Sequence, residues 1–171
     1  TVLGELTSRR QDSPALLEVF GLYELAQGDP SNARLSFSRL VELQPDSANA
    51  HFLLAQSLSK LNDGPGMQRA LERVLEADPD HLAARIGLSR VLLLHGDLAE
   101  AKQQLAALEA KAPGSPAVLS LRGAIAQASG DATSALDTYS QVFEKFSSST
   151  TMLTLARQKW ATGDQQGALA L

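Results

Sequence analysis

Apolar residues recur along this chain at helical spacing, in blocks separated by short polar breaks. From Leu82 to Leu94 the apolar positions include Leu82, Ile86, Leu88, Val91 and Leu92, which predicts a helix with one buried face. Gly96-Asp97 breaks that pattern, and Asp97 followed three residues later by Glu100 is a capping-box arrangement opening a second helix. Ala101, Leu105 and Leu108 carry the apolar face of that second helix. It should stop before Pro113, because the residue preceding a proline avoids the helical region. Asp29 followed by Pro30 predicts another helix start, since proline suits the first helical position.

The pattern is periodic. Pro45, Pro79 and Pro113 close similar segments and are spaced 34 apart. Gly28-Asp29, Gly96-Asp97, Gly130-Asp131 and Gly163-Asp164 are spaced 68, 34 and 33, with the scrambled turn Asn62-Asp63-Gly64 where a middle member is due. Two interleaved markers with one period define a repeat of two helices. Full repeats run at 14–47, 48–81, 82–115 and 116–148, with a partial fifth at 149–171, all in one domain spanning 1–171. Residues 1–13 read as the end of a preceding repeat, with Leu3 and Leu6 on its apolar side. The polar stretch Ser147 to Thr151 resembles a linker, but the period crosses it and predicts an ordered turn. The chain starts without Met and stops at Leu171 inside an apolar helical pattern, so it is expected to be cut from a longer protein. Gln165 to Leu171 is too short to hold a helix alone, isolated helices below about 12 residues being marginal. It should fray or dock through Ala168, Leu169 and Leu171, which predicts weak, concentration-dependent end-to-end self-association.

These units resemble the tetratricopeptide repeat (TPR). In the first full unit Leu17, Gly21, Ala33, Phe37 and Pro45 fall on the family's offsets. In the fourth, Leu119, Gly123, Ala135 and Tyr139 do so, while Ser147 replaces the closing Pro. Small Ala33, Ala101 and Ala135 let paired helices approach, whereas Met67 takes that place in the second unit and predicts looser or shifted packing there. The resemblance implies an all-α solenoid of about five repeats, its antiparallel helix pairs stacked into a right-handed superhelix, because each repeat buries its apolar side only against neighbours. It also implies that first helices line a concave surface and second helices a convex one. Chaperone-binding members hold a C-terminal carboxylate with a Lys/Asn/Asn/Lys/Arg clamp. Glu18, Leu22, Leu53, Ala83 and Gly87 stand at the matching positions, so that clamp is absent.

A narrower resemblance rests on AKAPGSP from Ala110 to Pro116, Leu121-Arg122-Gly123, Gly130-Asp131, Tyr139, Leu155-Ala156 and Gly163-Asp164. These are similar to the TPR lipoproteins of bacterial PEP-CTERM/exosortase systems, which belong to exopolysaccharide-associated gene clusters. That resemblance implies a lipid-anchored Gram-negative envelope protein facing the periplasm. Outside it, the expected location is the cytoplasm.

Composition narrows the chemistry. The net charge of −4 argues against a general nucleic-acid binder, and the absence of Cys excludes disulfides and thiolate metal sites. No apolar run approaches the roughly 18 residues of a membrane span. His51, His81 and His95 include no pair at metal-ligating helical spacing. His51 reads as a packed inter-helix side chain, and the other two fall near turns. No phosphate-binding or nucleophile motif occurs, and Gly64-Pro65-Gly66 reads as a turn with a helix-starting Pro. Glu72, Glu76 and Asp78 with Arg69 and Arg73 read as a solvated face of helical ion pairs. No catalytic residue, metal or cofactor is therefore expected.

Charge is partitioned between the two helices of each repeat. First helices of repeats two to five carry Lys60, Arg85, Arg90, Arg122, Arg157 and Lys159 and no Asp or Glu, whereas the first repeat has Glu18 and Glu24. By family offsets the groove-facing residues are Asn49, Phe52, Gln56, Lys60, Ile86, Arg90, Leu93, Gln127, Leu153, Arg157 and Trp160. Arg85, Arg122 and Lys159 are expected to lay their stems on apolar neighbours. Trp160 is expected in the core or at a groove edge. A locally basic cleft in an acidic protein focuses its field on an acidic partner. The expectation is a non-catalytic scaffold that holds a protein or peptide. The alternative is direct recognition of an anionic polysaccharide.

Overall fold

A computed structural model describes residues 13–171. Among the described residues every regular element is a helix. The chain divides into two compact units, one ending at Leu88 and the other beginning at Ser89.

The first unit contains α1 (Pro14–Ala26), α2 (Pro30–Leu43), α3 (Ala48–Lys60), α4 (Gly64–Ala77) and the start of α5 (Leu82–His95). α2 packs on α1, α3 on α2 and α4 on α3. Side chains written into the sequence set each helix start. Asp29 accepts from Asn32 N at 3.1 Å with Pro30 at the first position of α2, Ser47 from Ala50 N at 3.2 Å, and Asp63 from Gly66 N at 2.9 Å. Such caps satisfy amides that the first turn leaves without a helical partner. The chain leaves α1 through Gly28 at φ +78°, a conformation that glycine adopts without a Cβ penalty. Asn62 takes the corresponding place before α4 at φ +57°, and Asp63 caps in register. The turn scrambled in sequence is therefore the same turn, with the residue that best tolerates left-handed backbone replacing Gly.

The core of this unit is Leu17, Ala33, Phe37, Leu40, Ala50 and Leu53, with Leu25, Val41 and Leu54 packed against it. α1 and α2 approach closely because Gly21 faces the fully buried Phe37 ring. A Cβ on Gly21 would lie 2.6 Å from Phe37 Cζ, inside contact distance. Glu24 accepts a 2.7 Å hydrogen bond from the buried Ser36 hydroxyl, tying the same two helices at their edge.

The second unit contains the rest of α5, then α6 (Leu98–Lys111), α7 (Pro116–Ala128), α8 (Ala132–Lys145), α9 (Ser149–Ala161) and the short α10 (Gln165–Leu169). From α6 onward each helix packs on the next. Ala135, Tyr139 and Leu155 form a buried cluster, flanked by Ala126, Leu136 and Phe143. Gly123 lies under Tyr139 as Gly21 does under Phe37.

One local expectation fails here and one holds. Asp97 heads α6 through its backbone carbonyl, which accepts from Ala101 N at 3.0 Å, but its side chain makes no cap bond, so the expected capping box does not close. A capping box forms instead at Ser148 and Thr151, each side chain meeting the other's backbone N–H at 3.2 and 2.9 Å. The polar stretch there is ordered, with Ser147 and Ser148 joining α8 to α9 and Ser149 to Thr151 forming the first turn of α9. At the other end of the fold, the expectation for Leu3 and Leu6 lies outside the described residues.

Candidate partner-binding groove

In the first unit one face of α3 presents Phe52, Ala55, Gln56, Ser59 and Lys60 to a cavity of about 240 Å³. Leu25 of α1, Met67 and Leu71 of α4, and Ala83 and Gly87 of α5 complete its walls. The cavity exists because α5 offers almost no side chain on this face. A Cβ on Gly87 would already come within 3.1 Å of Leu71 Cδ1. Met67, half-buried where the repeat pattern sets a small residue, borders the space. The walls are mainly apolar, and Lys60 is the one charged group among the lining residues.

The groove's rims are held by specific contacts. Phe52 stacks at a tilt on His81, ring centroids 4.6 Å apart. His81 is itself fixed, because its Nδ1 accepts from Ala84 N at 3.1 Å and so caps α5. Asn49 donates to Glu18 Oε1 at 3.2 Å, joining α3 to α1. Of the sequence-nominated residues in this unit, Phe52, Gln56 and Lys60 line the cavity, while Asn49 is exposed beside α1 and Ile86 is half-buried on α5.

In the second unit Arg90 is exposed and Leu93 half-buried on α5, and Gln127 is exposed on α7. Leu153, Arg157 and Trp160 share one face of α9, with Leu153 63% and Trp160 53% exposed. Trp160 is thus a surface residue and not part of a core. Burial pushes the Tyr139 hydroxyl above its ordinary pKa, and the nearby positive charge of Arg157 partly opposes this.

The three cations expected to be structural all make intramolecular contacts. Arg85 donates to Pro79 O, Arg122 pairs with Glu109 at 2.6 Å, and Lys159 meets Asp164 at 3.2 Å. His51 is buried with Nε2 2.8 Å from Pro45 O. Leu25, Met67, Ala83 and Gly87 were not foreseen as groove residues. Their sequence signals were the missing clamp side chains at Ala83 and Gly87 and Met67 at a position the repeat gives to a small residue. Among the described residues no group of three or more His, Cys, Asp or Glu is placed to hold a metal, and no helix is long and apolar enough to cross a membrane.

Paired helices joined by capped turns, with an open apolar groove on the first-helix side, define a helical-repeat binding scaffold. Residues 19–66 and 68–125 each match a sequence profile of the tetratricopeptide repeat, and the chain is a tetratricopeptide-repeat protein. That family is generally one of non-catalytic interaction scaffolds. The fold is similar to MamA (residues 41 to the end) from Desulfovibrio magneticus RS-1, at 17% identity and TM-score 0.78, covering 92% of this chain and 89% of that one. It is similar to a thermophilic TPR protein from Thermus thermophilus, at 19% identity and TM-score 0.78, covering 92% of this chain and 87% of that one. A TPR protein from Parabacteroides merdae aligns at 14% identity and TM-score 0.84, covering 92% of this chain and 62% of the other. No curated protein sequence matches the chain.

Proposed function

We propose that the chain is a scaffold whose first-helix groove holds a partner protein, seating an apolar side chain between Phe52, Met67, Leu71 and Gly87. A carboxylate of the partner then meets Lys60. The observation that supports this most is the cavity itself: apolar walls, one cation at the rim and no acid among the lining residues. Burying an apolar anchor in such a pocket is how interfaces concentrate binding energy. The basic residues Arg90 and Arg157 extend the same chemistry in the second unit. The test begins with a partner identified by in-cell cross-linking. Ala83→Phe, which fills the cavity, should weaken binding at least about tenfold, as expected for losing a central anchor. Reversing Lys60, or Arg90 with Arg157, should slow association in a salt-dependent way. Arg39→Glu, on a second helix, serves as control. Equal loss from the control would show that only net charge matters.

The finer setting is an envelope system tied to exopolysaccharide assembly or export, with the parent protein lipid-anchored on the periplasmic side. The similarity of the Ala110–Pro116 stretch and the turns after it to PEP-CTERM-associated lipoproteins supports this reading. Fractionation and acyl-labelling of the native protein test it, and an unacylated cytosolic product would refute it. A second reading, direct binding of an anionic polysaccharide, is favoured by exposed Trp160 three residues from Arg157 on one face of α9. Salt-sensitive glycan binding that is lost in Trp160→Ala would establish it.

A further inference from the structure

A second cleft lies on a different face of α3 from the groove. It has a volume of about 290 Å³ and a floor of Val41, Leu54, Leu58 and Ala70. Arg34 from α2 and Arg69 and Arg73 from α4 stand around it, beside Ser38. The acid in its lining, Asp63, is already engaged as the cap of α4, accepting from Gly66 N at 2.9 Å. Arg73 pairs with Glu76 at 2.6 Å, both side chains more than half exposed, and such surface pairs exchange readily for a better partner. Arg34 and Arg69 make no ion pair or side-chain hydrogen bond among the described residues. Two guanidinium groups without an ion-pair partner among the described residues therefore face one apolar-floored cleft.

The repeat supplies an internal control. Two repeats later the same cleft recurs, lined by Lys102, Glu109, Arg122, Ala126 and Asp131. There Arg122 occupies the place of Leu54 and is neutralised by Glu109, which occupies the place of Val41. Asp137 and Gln141 stand where Arg69 and Arg73 do in the first unit. One repeat after the arginine cluster, Gln68, Gln103 and Ala107 fill the three arginine positions. The fold therefore does not require arginine at these positions, and stability does not account for the cluster.

We propose that this cleft is a second docking site, on the second-helix side, for an acidic amphipathic helix of a partner protein. The partner would lay a Leu-like side chain on the apolar floor and set carboxylates against Arg34 and Arg69. Arginine's planar fork suits two-point recognition of carboxylate, and the stripped apolar floor suits an aliphatic anchor. A sugar chain fits less well, because the one aromatic ring of the lining, His51, is buried with Nε2 2.8 Å from Pro45 O, and only Ser38 offers a hydroxyl. The site is separate from the groove, so a scaffold could hold two partners at once.

The probe is a fluorescein-labelled peptide with Leu at helical spacing flanked by Glu, compared with a scrambled peptide of the same composition and with inorganic polyphosphate. The ordered peptide should bind the intact chain and gain helicity. Arg34→Glu with Arg69→Glu should weaken it by about thirtyfold or more, the effect of reversing two close charge pairs. Arg34→Lys with Arg69→Lys should lose less, and Ala83→Phe in the groove should change nothing. Thermal melts of each variant confirm folding. The proposal is overturned if the reversed variant, shown to be folded, binds as the parent does, or if the scrambled peptide binds equally well. It also fails if only polyphosphate binds in an arginine-dependent way, or if no peptide binding is detected.

Discussion

Gly21 and Gly28 stand seven residues apart and are both glycine for unrelated reasons. At Gly28 the backbone is left-handed and nothing lies within 4 Å of a would-be Cβ. Gly28→Ala should therefore cost about 1 kcal/mol, the backbone penalty alone. At Gly21 the backbone is ordinary helix, but an added Cβ meets the Phe37 ring. Gly21→Ala should cost about 1–3 kcal/mol as an overpacked contact. Shrinking the ring in Phe37→Leu should recover part of that loss, whereas the same change should do nothing for Gly28→Ala. Urea unfolding of the three singles and two doubles separates the mechanisms, because only the Gly21–Phe37 pair should show coupling.

At the scale of the element, three helix-capping aspartates are held away from the ordinary carboxylate pKa. Asp29 is held below the ordinary carboxylate pKa chiefly by the Asn32 N–H, Asp131 by the Ser134 hydroxyl, and Asp164 by the Gly167 N–H. A carboxylate whose folded pKa is lowered stabilises the fold above its unfolded value and loses that contribution as pH falls through and below it. The urea midpoint should thus drop from about pH 5 downward. Replacing the three aspartates by Asn, an equally good cap that does not titrate, should flatten that drop. At the capping box, Ser148→Ala should cost about 1 kcal/mol by removing the acceptor for Thr151 N. These elements were largely legible in sequence because turn chemistry is local: Gly-Asp recurs with the period, and Pro30 marks a start. Asn62 was harder to read, since left-handed backbone is a property that Asn shares with Gly less obviously than position does. The groove was only partly legible. Phe52, Gln56 and Lys60 follow from the offsets of the repeat family, but the cavity is made by the volume that Ala83 and Gly87 lack, which no periodic pattern reports. The cleft around Arg34, Arg69 and Arg73 was hidden for another reason. Its cations come from two helices 35 residues apart, and alone each reads as surface charge.

At the scale of the molecule, the end of the chain offers a test of association. The five-residue α10 leaves Leu169 80% exposed. Leu169→Asp should abolish any concentration-dependent sedimentation of this chain if that end mediates contact, and leave the rise intact if it does not. A broader consequence follows from the way helices pack. In the first unit α2 rests on α1, α3 on α2 and α4 on α3, and in the second each helix from α7 to α10 rests on the one before it. The chain therefore closes mainly short loops as it gains structure, and the entropy of closure grows slowly over so few residues. Helical proteins with such local contacts fold in microseconds to milliseconds. Stopped-flow refolding of this chain should be complete within the dead time or a few milliseconds, with no slow phase from distant strands finding one another. Nascent repeats would by the same physics collapse one after another as they leave the ribosome, without waiting for the sequence that follows.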